Sequence, residues 1–435
     1  MASETLQAPK GTRDFYPEEM RAQNHLFEGW RKVCRAFGYE EYEGPTFEHL
    51  DLFRKKSGQE IENQLYTFKD KGDRELALRP EMTPTLARMV NQKGNSLKLP
   101  LRWFSIPRLF RYERTQKGRL REFFQLNMDI VGCNTVAAEA DLLAAIIEMM
   151  KGFGLGPQDF SVRVSSRLLL SEFLDKQGVA KEKKAAVYSA LDKRAKIGEV
   201  EFRGLLETEG LTATGIEAVE GFFNCQSLAE FSARFPAFSG KPSGFGGRTG
   251  LGDLQTLFAS LESQGYGEFV ALDFSVVRGL AYYTGIVFEV YDKARSLRAI
   301  AGGGRYDDLL ASLGGQPLSG VGFGMGDVVL MELLREKGLL PSGPGALDYF
   351  LVDVTPVESG LPRAELLALA KHLRTKGRCV AYALSGERLK KQMAQADELG
   401  ARRALFFGSD RAEAGKYEVK DLATGEQKVL GEIEL

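Results

Sequence analysis

From Pro17, apolar residues recur at three- and four-residue steps at Leu26, Trp30, Val33 and Phe37, with Gly38 behind them. That spacing predicts an amphipathic core helix opened by proline and closed by glycine. Residues 39–53 read as extended and carry Pro45. Residues 76–90, LALRPEMTPTLARMV, predict a short strand running into a helix, with Pro80 and Pro84 near the junction. Between 101 and 131, apolar and charged positions alternate through LRWFSIPRLFRYE, a polar RTQKGR, and LREFFQLNMDIVG. A period of two on either side of a polar turn predicts an antiparallel hairpin. A helical pattern follows from Ala137 to Met150.

Residues 166–264 are less patterned, with charged helices broken by Gly/Ser-rich stretches such as SGKPSGFGGRTGLG, and read as an inserted helical module. Strand signals return at 269–274 and 286–291, with VRGLAYYTG between them, and then come AGGGRYDDLL and GVGFGMGDVVLMELL. AGGGRY reads as a tight turn, and GVGFGMG as a strand whose glycines admit a ligand or another backbone closely. GLLPSGPGA at 338–346 is the best linker in the chain. Beyond it, YFLVDVT, a helix from Pro362 to Lys376, CVAYAL, a helix capped by Ser385 and ending before Gly400, and ALFFG alternate strand with helix. That alternation predicts a small parallel α/β domain.

Composition narrows the classes. The 435 residues suggest two to four domains, and 58 Lys+Arg against 59 Asp+Glu give a net charge of −1, which excludes a globally basic coat protein. Cys34, Cys133, Cys225 and Cys379 stand far apart, and His25, His49 and His372 have no metal-sharing spacing, so neither a disulfide framework nor a histidine–cysteine metal centre is expected. Met1–Lys10 shows no signal peptide, and no apolar run reaches the ~18 residues of a membrane span. A cytoplasmic location is the expectation.

Local charge is another matter. Arg102, Arg108, Arg111, Arg114, Lys117, Arg119 and Arg121 fall within 20 residues against one acid, Glu113. An exposed edge hairpin rarely concentrates like charges this way. Arg111 and Glu113, two apart, share a strand face: a guanidinium there can hold a phosphate, the carboxylate can accept from an amine, and Phe123 or Phe124 can offer a ring to a base. No phosphate-binding G-x-x-x-x-G-K-[ST] occurs. Arg278 suits either a core position beside paired tyrosines or a second phosphate ligand, and the residues alone do not choose.

Taken together, KGTRDFYP, YEEYEGPTFEHLDLF, FRYERTQKGRLREFFQ, RGLAYYTGIVFE and AGGGRYDDLL, in that order, resemble the motifs of the histidyl-tRNA synthetase family of class II aminoacyl-tRNA synthetases. The resemblance covers nearly the whole chain. It implies an α+β catalytic core, a mainly antiparallel sheet flanked by helices, at 1–337 with the helical insertion at 166–264. It further implies a linker at 338–346 and an anticodon-binding parallel α/β domain at 347–435. The implied activity is ATP-dependent ligation of L-histidine to its tRNA through a histidyl-adenylate, with Mg²⁺ carried by ATP and a homodimer formed through the region of Pro45.

Carried over by motif, Glu81, Met82 and Thr83 would bind histidine, the first and last at its ammonium. Arg111 would grip its carboxylate and the α-phosphate, and Arg278 would sit opposite. Glu113 would take the adenine amino group, Phe123 its ring and Arg119 the outer phosphates. Gln125, Asp129, Tyr282, Tyr283 and Tyr306 would line the amino-acid pocket. Gln116, Lys117, Arg388, Lys390 and Lys391 would meet tRNA, since 363–403 hold ten Lys/Arg against four Asp/Glu. The chain departs from the family pattern at Val328 and Val329, where Glu-Arg is common, at Ala281, where aspartate is, and at Asp129, one methylene shorter than the usual glutamate. The other reading is a non-catalytic paralogue, such as the regulatory subunit of ATP phosphoribosyltransferase or an RNA-binding pseudo-synthetase.

Overall fold

The computed structural model describes residues 6–57, 63–194, 197–238, 248–276, 283–341, 343, 347–355, 362–409, 413 and 415–431. Two compact units divide the chain: Met1–Asp14 with Gln23–Leu340, and Phe15–Ala22 with Pro341–Leu435.

Helix Pro17–Ala36 forms where the apolar spacing places it. Its buried stripe runs Leu26, Trp30, Cys34 at steps of four, with Val33 and Phe37 half-buried beside it. Gly38 ends it at φ +76°, a conformation that glycine adopts without penalty. Residues 39–53 are not extended throughout, because a helix, Leu50–Ser57, takes over after strand Phe47–His49. Leu50 and Phe53 both pack on Leu65 and Ala77. Residues three apart share a helix face but fall on opposite faces of a strand, so burying both requires the helix.

The first unit is built on a nine-stranded sheet. Its strands are β1 (Glu40–Glu41), β2 (Leu101–Ser105), β3 (Arg108–Phe110), β4 (Glu122–Val131), β5 (Phe160–Ser166), β6 (Val270–Leu272), β7 (Ile286–Asp292), β8 (Ala301–Arg305) and β9 (Gly320–Gly326). The order is β1-β2-β4-β9-β8-β7-β5-β6, with β3 also on β4. Only β1–β2 and β5–β6 are parallel. Helix Ala137–Gly152, apolar nearly all round, buries eleven of its sixteen residues, and helices Thr83–Lys93 and Asp327–Glu336 also pack in this unit.

Three local expectations change. AGGGRY is not a turn: Ala301–Arg305 is a central strand paired on both sides. Its glycines serve close packing, since a Cβ on Gly303 would sit 2.6 Å from the Cβ of Phe323. The outgoing arm of the hairpin is broken at Ile106–Pro107 and its last strand stops at Phe110. Arg111 and Glu113 therefore lie beyond the strand rather than on one of its faces. Strand β5 has no counterpart in the sequence pattern, because serine and arginine interrupt its apolar residues. Within 166–264 the described elements are helices after Ser166, and Phe173, Phe222, Phe231 and Phe274 form a ring cluster with centroid spacings of 4.3–5.6 Å.

The second unit holds a five-stranded sheet: β10 (Leu347–Asp353), β11 (Val380–Tyr382), β12 (Ala401–Phe407), β13 (Lys416–Asp421) and β14 (Gln427–Gly431), ordered β11-β10-β12-β13-β14. The parallel part is β11-β10-β12, and two antiparallel strands extend it. Alternation on β10 sends Tyr349 and Leu351 to one core, with Leu369 and Leu373, and Phe350 and Val352 to the other, with Ala396 and Ala404. Ser385 does not cap the second helix, which spans Leu389–Glu398; its hydroxyl bonds the Glu387 carboxylate instead. Of the apolar positions Leu389, Met393, Ala396 and Leu399, which have the spacing of one stripe, Ala396 is buried and Met393 packs half-buried against the same core. Leu389 and Leu399 are 45% and 49% exposed, while Gln392 and Ala396 are buried. Gln392 turns inward because its amide accepts from Asp353 N and donates to Asp353 O, completing the backbone where β10 ends.

Candidate active site

A cavity of about 270 Å³ opens on the main sheet. Register makes its floor. Asp129 pairs with Gly322, Gly322 with Gly304, and Gly304 with Val287; one step along, Asn127, Gly324, Gly302 and Glu289 are aligned likewise. Paired residues point to the same face, so four glycines on β8 and β9 leave a trench without side chains. Polar groups of β4 (Gln125, Asn127, Asp129) wall one side and Glu289 of β7 the other. The trench has no room to spare: a Cβ on Gly324 would lie 2.6 Å from Gln125, and one on Gly322 would collide with the Asp129 carboxylate.

At the Asp129 end, the Tyr306 hydroxyl donates to Oδ1 at 2.6 Å, and both residues are buried. Burial, then the Asp129 charge, push the Tyr306 pKa well above its ordinary value, so the hydroxyl keeps its proton as a donor. Tyr306 is anchored through its neighbour. Arg305 donates to both oxygens of buried Glu139, at 2.6 and 2.5 Å, and to the carbonyls of Cys133 and Thr135. Tyr42 packs close by; its buried hydroxyl has no hydrogen-bond partner among the described residues, and burial and Asp129 raise its pKa too.

Glu81 and Thr83 enter from the start of helix Thr83–Lys93. The segment ahead of them is pinned by Arg79, whose guanidinium bonds Glu43, the Gly44 carbonyl and the Arg108 carbonyl. Arg111 lines the cavity with its Nε on the Pro80 carbonyl and its guanidinium carbon 5.2 Å from the Phe123 ring centroid. The ring and the cation thus form one surface at the rim.

Beyond Arg111 the chain turns through Gln116–Arg119, closed by reciprocal backbone bonds, with Gly118 at φ +73°. Arg119 pairs with Glu113 at 2.7 Å, and Lys117 with Glu332 at 2.9 Å. The turn is tied down from the N-terminal segment. The Gly11 carbonyl accepts from Arg121 and Glu122, and Arg13 holds Asp327, which also accepts from Phe124 N. Burial raises the Asp327 pKa against the opposing pull of Arg13. KGTRDF is therefore a brace between the hairpin and helix Asp327–Glu336.

Of the residues singled out in the sequence, Glu81, Thr83, Arg111, Gln125, Asp129, Tyr283 and Tyr306 meet at the cavity. Glu113, Arg119 and Phe123 stand at its rim on the hairpin. Met82 is not part of it: the side chain is fully buried, with Sδ 3.9 Å from Arg79. Arg278, Ala281 and Tyr282 lie outside the described residues. Phe124 turns to the other face, against Phe27 and Arg108, and Arg102 and Arg108 are spent on Asp141 and Glu122. Arg388, Lys390 and Lys391 are exposed in the second unit, Lys391 on Glu387. Asn127 and Glu289 were not foreseen. Period two from Gln125 and Asp129 points to Asn127, but nothing in VFEVYD singles out Glu289.

Comparison with known proteins agrees with this geometry. Residues 11–327 match the family model described as histidyl-tRNA synthetase, and 352–435 match one described as anticodon binding domain. The chain is 43% identical over 419 residues to the chloroplastic/mitochondrial histidine–tRNA ligase of Arabidopsis thaliana, covering 96% of this chain and 84% of that one. It is 42% identical over 421 residues to the histidine–tRNA ligase of Opitutus terrae, covering 97% and 94%. The crystal structure of histidyl-tRNA synthetase from Nostoc sp. PCC 7120 superposes with a TM-score of 0.80 at 26% identity, covering 98% of this chain and 97% of that one.

Proposed function

The chain belongs to the histidyl-tRNA synthetase family, and from that premise we propose how its cavity carries out the family's reaction. The protein is an aminoacyl-tRNA ligase that joins L-histidine to its tRNA with ATP as substrate. The non-catalytic alternative is not favoured, because the relatives that match over nearly the full length are named as ligases.

The observation that carries the proposal is the glycine-floored trench with a buried Tyr306–Asp129 pair at one end and Arg111 at the other. Histidine lies along it. Its imidazole N–H donates to Asp129 beside the hydroxyls of Tyr283 and Tyr306, and Tyr282 belongs to the same group. Glu81, Thr83 and Gln125 take the ammonium. Arg111 aligns the carboxylate with the α-phosphate, and Arg278 acts on that phosphate from the other side. ATP, bound as its Mg²⁺ complex, places adenine on Phe123 with its amino group at Glu113 and its outer phosphates at Arg119.

A histidine carboxylate oxygen attacks the α-phosphorus, the bond to the bridging oxygen breaks, and pyrophosphate leaves. A hydroxyl of the terminal ribose of tRNA then attacks the carbonyl of the adenylate, and AMP leaves with the bonding electron pair. Fixed cations around the α-phosphate match the charge that develops there. A pocket that hydrogen-bonds imidazole rejects apolar isosteres by about 10⁴–10⁵.

In this reading 1–337 is the catalytic domain with its insertion at 166–264, 338–346 is the linker, and 347–435 grips the anticodon arm. Arg388, Lys390 and Lys391 meet its phosphates, and Gln116 and Lys117 the acceptor end. The exposed pair Phe47 and Phe68, 48% and 42% exposed with ring centroids 5.8 Å apart, supports a homodimer through the three-stranded sheet of Phe47–His49, Glu75–Leu78 and Thr67–Lys69 beside Pro45. The location is the cytoplasm; among the described residues no helix is long and apolar enough to cross a membrane. The deciding experiment is amino-acid-dependent ATP–pyrophosphate exchange without tRNA. Exchange with histidine alone is expected, and none with any amino acid from folded protein would overturn the reading.

A further inference from the structure

We propose that Arg298 binds the outer phosphates of ATP, from a loop that none of the sequence motifs includes. The inference rests on the reading of the cavity given above. Arg298 lies between β7 and β8, two residues before Ile300, whose N–H bonds the Val290 carbonyl and whose carbonyl accepts from Gly326. The loop is therefore held at the end of the two strands that bound the trench.

Three observations place the side chain against the hairpin turn. Its Nη2 donates to Gln116 Oε1 at 2.6 Å, on the hairpin turn. Its Cδ and Cγ lie 3.6 and 3.9 Å from where a Cβ on Gly118 would sit, at the tip of that turn. Val329 Cγ2 lies 3.3 Å from the same point. Turn, helix start and Arg298 stem thus converge on one spot. Val329 is short, apolar and buried, so it supplies no charge there and leaves space that the longer side chain fills. Arg298 and Arg119 then flank the same four-residue turn.

The chemistry follows. When the α-phosphorus accepts the histidine carboxylate, charge grows on the departing pyrophosphate, and two guanidiniums held at one turn can share its oxygens. The bond from Arg298 to the neutral Gln116 amide is of a kind that a phosphate oxygen replaces readily, since ionised acceptors bind a guanidinium more strongly. A planar fork suits that task better than an ammonium. The position is thus a substrate-binding one for the first half-reaction.

The test is ATP–pyrophosphate exchange by the full-length protein at saturating histidine, in Arg298→Ala, Arg298→Lys and the double variant Arg298→Ala with Val329→Arg. Arg298→Ala should raise KM for ATP about tenfold or more, the effect of one lost hydrogen bond to a charged group, and leave KM for histidine and the melting temperature unchanged. Arg298→Lys should fall between. The double variant should recover ATP affinity, because it returns a guanidinium to the same spot from the helix side. Parental KM for ATP in Arg298→Ala, or no recovery in the double variant, would overturn the inference. Arg111→Ala, run alongside, separates the two readings. If it abolishes exchange while Arg298→Ala is parental, the cavity assignment stands and Arg298 falls. If both are parental, the cavity assignment itself has failed.

Discussion

The floor and the rim of the cavity each set an arginine on a carboxylate, in opposite surroundings. Beneath the floor, on the other face of the sheet, the Arg305 and Glu139 side chains are 1% and 0% exposed, and the guanidinium is saturated by both Glu139 oxygens, two backbone carbonyls and the Asp307 carboxylate. At the rim, Arg119 is 40% exposed and Glu113 12%, and the two meet through a 2.7 Å contact on a turn that solvent reaches from the arginine side. A buried pair is tolerable only when every donor is satisfied, and it becomes a fixed strut because breaking it strands a charge without water. An exposed pair is held by under about 1 kcal/mol. The first kind of pair positions Tyr306; the second is one that, in the proposed reading, ATP takes apart, each partner exchanging the other for a part of the nucleotide.

The contrast can be broken by experiment, most severely at the floor. Arg305→Ala should cost about 3–5 kcal/mol in urea unfolding, since buried Glu139 would keep only Arg248, 4.0 Å away, as a counter-charge. An unshifted midpoint would erase the distinction between strut and exchangeable pair. Next comes Arg111→Ala, which should slow adenylate formation by about 10²–10³ in single-turnover assays with stability unchanged. A large loss of stability would make Arg111 part of the scaffold instead. Gly322→Ala tests the trench. The new methyl meets the Asp129 carboxylate, and about 1–3 kcal/mol of overpacking should appear chiefly as weaker histidine binding by calorimetry. Unaltered histidine affinity would mean that the amino acid does not lie there. Glu113→Gln should be mildest, shifting stability by less than about 1 kcal/mol while raising KM for ATP. Parental ATP kinetics would remove Glu113 from the nucleotide site.

Much of the site could be read in the chain because it is built from short-range patterns. Alternation in LREFFQLNMDIVG put Gln125 and Asp129 on one face, and the crowding of arginines around one glutamate marked a place for phosphate. Where the reading failed, long-range partners made the decision. AGGGRY has the composition of a turn, yet β7 and β9 pair with it on both sides and make it a strand. Leu389 and Leu399 have the spacing of a core stripe, yet the end of β10 draws Gln392 inward to complete its backbone. Arg102 and Arg108 count toward the basic cluster but are neutralised by Asp141 and Glu122.

By itself the sequence determined most of the element types and the order of the motifs, because helix and strand periods and side-chain chemistry are properties of neighbouring residues. Only the tertiary structure decided that Glu289 faces Asn127 across two glycines, that Gly11 and Arg13 brace the hairpin, and that Arg298 reaches the turn at Gly118. Each of these joins residues more than a hundred positions apart. Sheet register and the packing of loops on it bring such residues together, and neither is written in any local pattern.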